Sequence, residues 1–272
     1  MKLSSKIRLN NGIDIPILGL GTWPLKGKEA YQAVLWALDI GYRLIDTASF
    51  YGNEKGIGNA LHETEVARED IFITTKVWNS EQGYNSTLEA FERSLKRLNL
   101  KYIDLYLIHW PISGLRNETW KALEKIYDNE KVRAIGVSNY TVKHLKELLE
   151  LSTLIPAVNQ VEFSPFLYQK DLIEYCQSKE IAVEAYSPLT RGRRFNNNIL
   201  QEIIRKYNKT PAQVLIRWGL QHNIIEIPKS GNRDHLIENS QVFDFNIGEL
   251  DMNRLDTLNE DYRIIDDPHL ID

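Results

Sequence analysis

The sequence predicts an α/β fold, a (β/α)8 TIM barrel with an N-terminal β-hairpin and extra helices near the C-terminus. Three observations predict it: eight short strand-like apolar runs, helical stripes between them, and a length of 272 residues that suits one large barrel. The hairpin comes first. Ile7 and Leu9 alternate with polar residues, Asn11-Gly12 supplies the positive φ of a tight turn, and Ile13 and Ile15 alternate on the return.

The strand-like runs cover residues 17–21, 43–47, 71–77, 103–109, 134–138, 157–162, 182–187 and 224–228. Between them lie amphipathic helices. Ala30, Ala33, Val34, Ala37 and Leu38 form the first stripe, which Gly41 ends as a C-terminal cap. Leu88, Phe91, Leu95 and Leu98 form a second, and Trp120, Leu123 and Tyr127 a third. Val142, Leu145 and Leu149 follow Thr141, a good N-cap, and Thr210-Pro211 opens a further helix in the favoured order. Strands separated by helices require right-handed crossovers and a parallel sheet, and eight units close into a barrel where a doubly wound sheet usually stops at five or six. Two stretches exceed the simple repeat: a basic loop plus helix at 191–209, and a tail with a stripe of Leu250, Leu255 and Leu258. No linker interrupts the chain, so residues 1–272 are expected to form one domain.

Composition narrows the function. Apolar residues make up 43% and charged residues 26%, so disorder is not expected. A net charge of −4 gives no cationic field to hold nucleic acid or an anionic membrane. The single cysteine, Cys176, excludes an intrachain disulfide and sits among Leu172, Ile173 and Tyr175 as an inert packed thiol. The opening MKLSSKIRLN has no apolar h-region, and no apolar run approaches the roughly 18–20 residues of a membrane span, so a cytoplasmic protein is expected. A monomer is the expectation for assembly.

Chemistry in such barrels sits where the strands end. Strand two ends in Asp46 with Tyr51 in the following loop, strand three ends near Lys76, and strand four ends at His109. A phenol is too weak an acid at neutral pH, and a nearby ammonium lowers its pKa, so Lys76 is expected to acidify Tyr51. Asp46 would hold Lys76 charged, and His109 would orient a carbonyl oxygen. The set suits protonation of a developing alkoxide while hydride arrives from elsewhere.

The blocks around these residues resemble the aldo-keto reductase superfamily. Gly41-Tyr42-Arg43-Leu44-Ile45-Asp46-Thr47-Ala48 and Tyr51-Gly52-Asn53-Glu54 carry its leading signature. Thr74-Thr75-Lys76-Val77-Trp78, Ile108-His109-Trp110-Pro111, Gly136-Val137-Ser138-Asn139, Asn159-Gln160-Val161-Glu162, Tyr186-Ser187-Pro188-Leu189 and Ile227-Pro228-Lys229-Ser230 follow in family order. The resemblance spans nearly the whole chain. It implies a short-loop, prokaryotic-type reductase of aldehydes and ketones, in which Tyr51 is the general acid and Lys76, Asp46 and His109 support it. It implies that Tyr186 stacks on the nicotinamide and that Ser138, Asn139 and Gln160 hold its carboxamide. Thr22 and Trp23 would line the cofactor channel, with Asp46 also near the cofactor. Ser187 and Leu189 would touch the pyrophosphate, with Arg191 as a basic strap beside Arg193 and Arg194. Trp23, Trp78 and Trp110 would wall the substrate pocket around Tyr51 and His109. Short walls imply an open pocket for small aldehydes, ketoses or dicarbonyls.

No G-x-G-x-x-G follows a strand: Pro24 stands where the third glycine after Gly19-Leu20-Gly21 would be. Nucleotide binding is therefore expected at the last strand and helix, where Lys229 and Ser230 precede an anion-favouring helix N-terminus. Glu238 and Asn239 match the family's adenine contacts. His235 holds the position where most NADPH-using relatives carry arginine, and an imidazole cannot make a bidentate guanidinium grip. The expected cofactor is NADPH with a softened preference, NADH also being open, and Arg233, two residues before His235, is the candidate to compensate. The other readings are a nicotinamide-binding regulatory module without turnover and a barrel hydrolase. The intact tetrad argues against the first. The second lacks a paired-carboxylate site, Glu162 and Glu184 being ordinary strand residues, and the six histidines are too scattered for a metal site.

Overall fold

A computed structural model describes residues 1–271. The hairpin pairs β1 (Lys6–Arg8) with β2 (Asp14–Pro16) in antiparallel register, Ile7 opposite Ile15. Its turn is looser than the two-residue form expected, because Leu9 N–H donates to Ile13 and only Gly12 takes a positive φ (83°).

The barrel strands are β3 (Leu20–Gly21), β4 (Leu44–Asp46), β5 (Phe72–Val77), β6 (Ile103–Ile108), β7 (Val132–Ser138), β8 (Val158–Glu162), β9 (Ala182–Tyr186) and β10 (Ile225–Glu226). They form one eight-stranded parallel sheet in sequential order. Bridges from Leu18 to Glu226 and from Gly21 to Lys229 join its two edges and close the barrel. The first and last strands are shorter than the sequence suggested because this seam is stitched by single bridges. At Gly21 a Cβ would meet the Ile227 carbonyl oxygen at 2.6 Å, so the seam needs glycine there.

The helices are α1 (Gly27–Ile40), α2 (Glu54–Glu63), α3 (Tyr84–Leu98), α4 (Arg116–Asp128), α5 (Val142–Leu151), α6 (Lys170–Ser178), α7 (Asn198–Tyr207), α8 (Pro211–Gln221), α9 (Arg233–Ser240) and α10 (Glu249–Asp256). Gly41 caps α1 by donating to Ala37 and Leu38 carbonyls. Thr141 and Thr210 form capping boxes with His144 and Gln213. The extra helix in the 191–209 stretch is α7. In α10 the apolar stripe is revised: Leu255 is buried, but Leu250 is 80% exposed because it lies on the outer face of that helix. Cys176 is fully buried, and burial pushes its thiol up to about 11, as expected of an inert packed thiol.

Strand alternation sorts side chains into two layers. Leu44, Phe72, Leu105, Leu107, Ala134, Val158, Ile225 and Ile227 pack with Leu9 and Ile15 of the hairpin in one cluster, the barrel interior. Their neighbours Ile45, Ile73, Tyr106, Ile108, Ile135 and Val161 join the larger cluster beneath the helices. Asp46 shares parity with Leu44, Lys76 with Phe72, His109 with Leu107, Gln160 with Val158, and Glu184 with Ala182. All five therefore point inward at the end opposite the hairpin. Among the described residues no helix is long and apolar enough to cross a membrane.

Candidate active site

Lys76 is fully buried and donates to both oxygens of Asp46 at 2.8 and 2.7 Å and to the Thr47 carbonyl at 2.9 Å. Its remaining neighbour is the Tyr51 hydroxyl at 3.4 Å, with the ammonium 5.1 Å from the ring centroid. Tyr51 stands on a short turn, Ser49–Tyr51, fixed from both sides. Lys26 Nζ donates to the Tyr51 carbonyl at 2.7 Å. Fully buried Asn53 accepts from Thr47 at 2.6 Å and donates to the Leu25 carbonyl and to Thr22 Oγ1. His109 lies beside the phenol, ring centroids 5.7 Å apart in an edge arrangement, and its buried Nδ1 has no partner among the described residues.

Electrostatics departs from the sequence expectation at Tyr51. Burial drives its phenol well above the ordinary value, and the charges of Asp46 and then Glu184 push the same way. Lys76 does not reverse this, since its charge is shared with Asp46 at closer range than with the phenol. Tyr51 is a neutral phenol here, not an acidified one. Burial, then the Lys76 ammonium, holds the His109 imidazole well below its usual range, so it is neutral at physiological pH. Burial also raises Asp46 against the opposing pull of Lys76 and Gln160.

Gln160 ties a second acid to this group. Its amide nitrogen donates to Asp46 Oδ2 at 2.8 Å and to Glu184 Oε2 at 2.6 Å, so both hydrogens are engaged and the carbonyl oxygen is the end left for another donor. Burial and the neighbouring Asp46 charge push Glu184 up to about 8. Glu184 is thus more than an ordinary strand residue.

Beside Gln160, Asn139 donates to the His109 carbonyl and to Ser138 Oγ, and accepts from Tyr186 Oη at 2.7 Å. Ser138, Asn139, Gln160 and Tyr186 therefore converge. Thr22 does not line an open channel: it is fully buried, and its hydroxyl donates to the Asp46 carbonyl at 2.8 Å. Beyond Tyr186 the chain carries positive φ at Ser187, Thr190 and Arg191 (53°, 49° and 52°), with Leu189 half-buried and Arg191 and Arg193 exposed. Arg194 leaves the expected basic strap, because it pairs with Glu260 at 2.5 Å and stacks 3.6 Å from the Tyr262 ring centroid. The tail is tied down as well: Glu162 accepts from the Ile264 and Ile265 N–H groups at 2.6 and 3.0 Å.

Aromatic rings wall the mouth. Trp23 lies 5.1 Å from the Tyr51 ring and Trp78 5.0 Å from His109, and Trp110 is buried nearby on the loop after β6. Between the two tryptophans sits Phe50, stacked on Trp23 at 5.4 Å and on Trp78 at 3.8 Å while 45% exposed. The sequence reading missed Phe50, which adds a third ring to this wall. Its adjacency to Tyr51 was the only available signal.

A cleft of about 720 Å³ opens between α1 and the segment after β10. Lys229, Ser230, Gly231, Asn232 and His235 line one side, and Leu25, Lys28, Glu29, Gln32 and Trp36 the other. Two lysines, a histidine and short polar groups suit an anionic dinucleotide end. The N-terminus of α9 is less open to an anion than expected: Asn232 Oδ1 already accepts from the Asp234 and His235 N–H groups. Nor does Arg233 stand in for the missing guanidinium, since it reaches Asp39 on α1 at 3.2 Å. Glu238 accepts from Thr210 at 2.5 Å, and Asn239 is buried behind it.

The family model described as "Aldo/keto reductase family" matches residues 17–260. Glyoxal reductase of Bacillus subtilis is 50% identical over 267 residues, covering 98% of this chain and 97% of that protein. An aldo-keto reductase from a Medee basin deep-sea metagenome library has a TM-score of 0.95 at 43% identity, covering 98% of this chain and all (100%) of that one. A silkworm (Bombyx mori) aldo-keto reductase complexed with NADPH has a TM-score of 0.91 at 35% identity, covering 96% and 90%.

Proposed function

This chain belongs to the aldo/keto reductase family, and we propose from that premise that it uses NADPH to reduce the carbonyl of small aldehydes and α-dicarbonyls. NADPH supplies the hydride when bound. Tyr51 gives its proton to the carbonyl oxygen as the alkoxide develops, and neutral His109 hydrogen-bonds that oxygen and sets its approach. The phenolate left behind lies beside the Lys76 ammonium, which Asp46 holds, and regains its proton from solvent before the next turnover. The proximity of Lys76 Nζ to Tyr51 Oη, 3.4 Å within a buried bed, is the observation that carries this reading. The raised pKa of the phenol is compatible with it: a proton kept in the resting enzyme is released only when the substrate oxygen becomes a stronger base.

For the cofactor, Gln160, Ser138 and Asn139 would hold the carboxamide and Tyr186 would stack on the ring. Ser187, Leu189 and Arg191 would follow the pyrophosphate. Lys229, Ser230 and His235 would meet the adenosine phosphate, with Glu238 and Asn239 at the adenine. A histidine in place of arginine softens the preference, so NADH is accepted more weakly. The substrate class draws on the Bacillus subtilis relative, a glyoxal reductase, and on the aromatic wall at Phe50. Residues 1–272 act as one catalytic unit in this reading. The test is loss of NADPH absorbance with methylglyoxal and with glyoxal. Turnover supports the reductase. Cofactor binding without turnover on any small carbonyl would favour the regulatory module instead.

A further inference from the structure

The α1 side of the adenosine-end cleft carries a cation that the sequence motifs do not mark. Lys28 lies in the first turn of α1 and lines the cleft opposite Lys229 and His235. Among the described residues neither Lys28 nor Lys229 makes an ion pair or a side-chain hydrogen bond. By contrast, Arg233, between the lining residues Asn232 and His235 in sequence, is paired with Asp39. The position of Lys28 is also unfavourable on local grounds, because a helix N-terminus is the positive end of its dipole. Two unneutralised lysines on facing walls of one cleft raise its affinity for a dianion.

The usual sources of anion binding are weakened here. The first free amides of α9 are occupied by Asn232, the expected guanidinium position holds His235, and Arg233 is drawn away to Asp39. We propose that Lys28 is a cofactor-specificity residue, supplying from α1 the second cation that, with Lys229, holds the 2′-phosphate of NADPH. The proposal rests on the reductase reading above. Glu29, the one acid among the lining residues, opposes a phosphate but can accept from a ribose hydroxyl. Removing the Lys28 charge should therefore penalise NADPH and spare NADH.

The test is direct binding to the full-length protein, read by quenching of tryptophan fluorescence, for which Trp36 in the cleft is a local reporter. The probes are NADPH, NADH and 2′,5′-ADP, the last carrying the 2′-phosphate without a nicotinamide. Lys28→Ala should raise Kd for NADPH and 2′,5′-ADP about tenfold, leave NADH within about twofold, and lose part of the salt dependence of NADPH binding. Lys28→Arg should restore the discrimination. Equal losses for NADPH and NADH, or no change for 2′,5′-ADP, would overturn the role of Lys28 while leaving the reductase reading intact. A wild-type protein that binds neither dinucleotide would overturn both.

Discussion

The ammonium of Lys76 is gripped by both carboxylate oxygens of Asp46, at 2.8 and 2.7 Å, with both groups buried. Removing one partner strands the other. Lys76→Met should therefore abolish reduction and also destabilise the fold by about 3–5 kcal/mol, because Asp46 loses its compensating charge. Urea unfolding beside the NADPH assay measures both. A variant as stable as wild type would show that the pair contributes nothing to the native state.

Phe50 is a stacked spacer between Trp23 and Trp78. Phe50→Ala should open a ring-thick slot, lowering KM for planar aromatic aldehydes such as benzaldehyde about tenfold while changing kcat/KM for methylglyoxal less than about threefold. An equal gain or loss for both substrates would remove Phe50 from specificity.

Two buried acids make stability fall with rising pH. Burial raises Glu184 to about 8 and Glu226, whose carboxyl oxygens have no partner among the described residues, well above the ordinary range. Both keep their protons in the native state at pH values where the unfolded chain, ionising near pH ~4.3, has released them. The stabilisation they contribute is complete below that value and is lost progressively as pH climbs, for Glu184 until about 8. His109, whose folded pKa is lowered, acts in the opposite direction but only below about pH 6.5. Between about pH 6.5 and about pH 8 the wild-type Tm should decline, and the double variant Glu184→Gln, Glu226→Gln should decline less. Circular dichroism melts across that window check this. Parallel slopes would contradict it.

Much of this was legible in the chain. Period-2 and period-3.6 patterns placed the strands and helices, and strand-end positions alone picked out Asp46, Lys76 and His109. What stayed hidden depends on contacts remote in sequence. Lys28 lines one cleft with Lys229 only because the first and last barrel strands join at the seam, and no local pattern marks it. Glu184 looked like an ordinary strand residue until Gln160 linked it to Asp46. The acidification expected of Tyr51 failed because residue types do not reveal burial: desolvation, which outweighs one ammonium already shared with a carboxylate, is a property of the packed site.

The central claim is that the proton reaching the substrate oxygen comes from Tyr51. The most direct measurement pairs NADPH consumption on methylglyoxal with NADPH binding, for wild type and Tyr51→Phe. The expected result is reduction lowered by at least about a thousandfold with the NADPH Kd within about twofold of wild type. Sustained turnover by Tyr51→Phe, at a rate comparable to wild type, would contradict the account and assign the proton to another group.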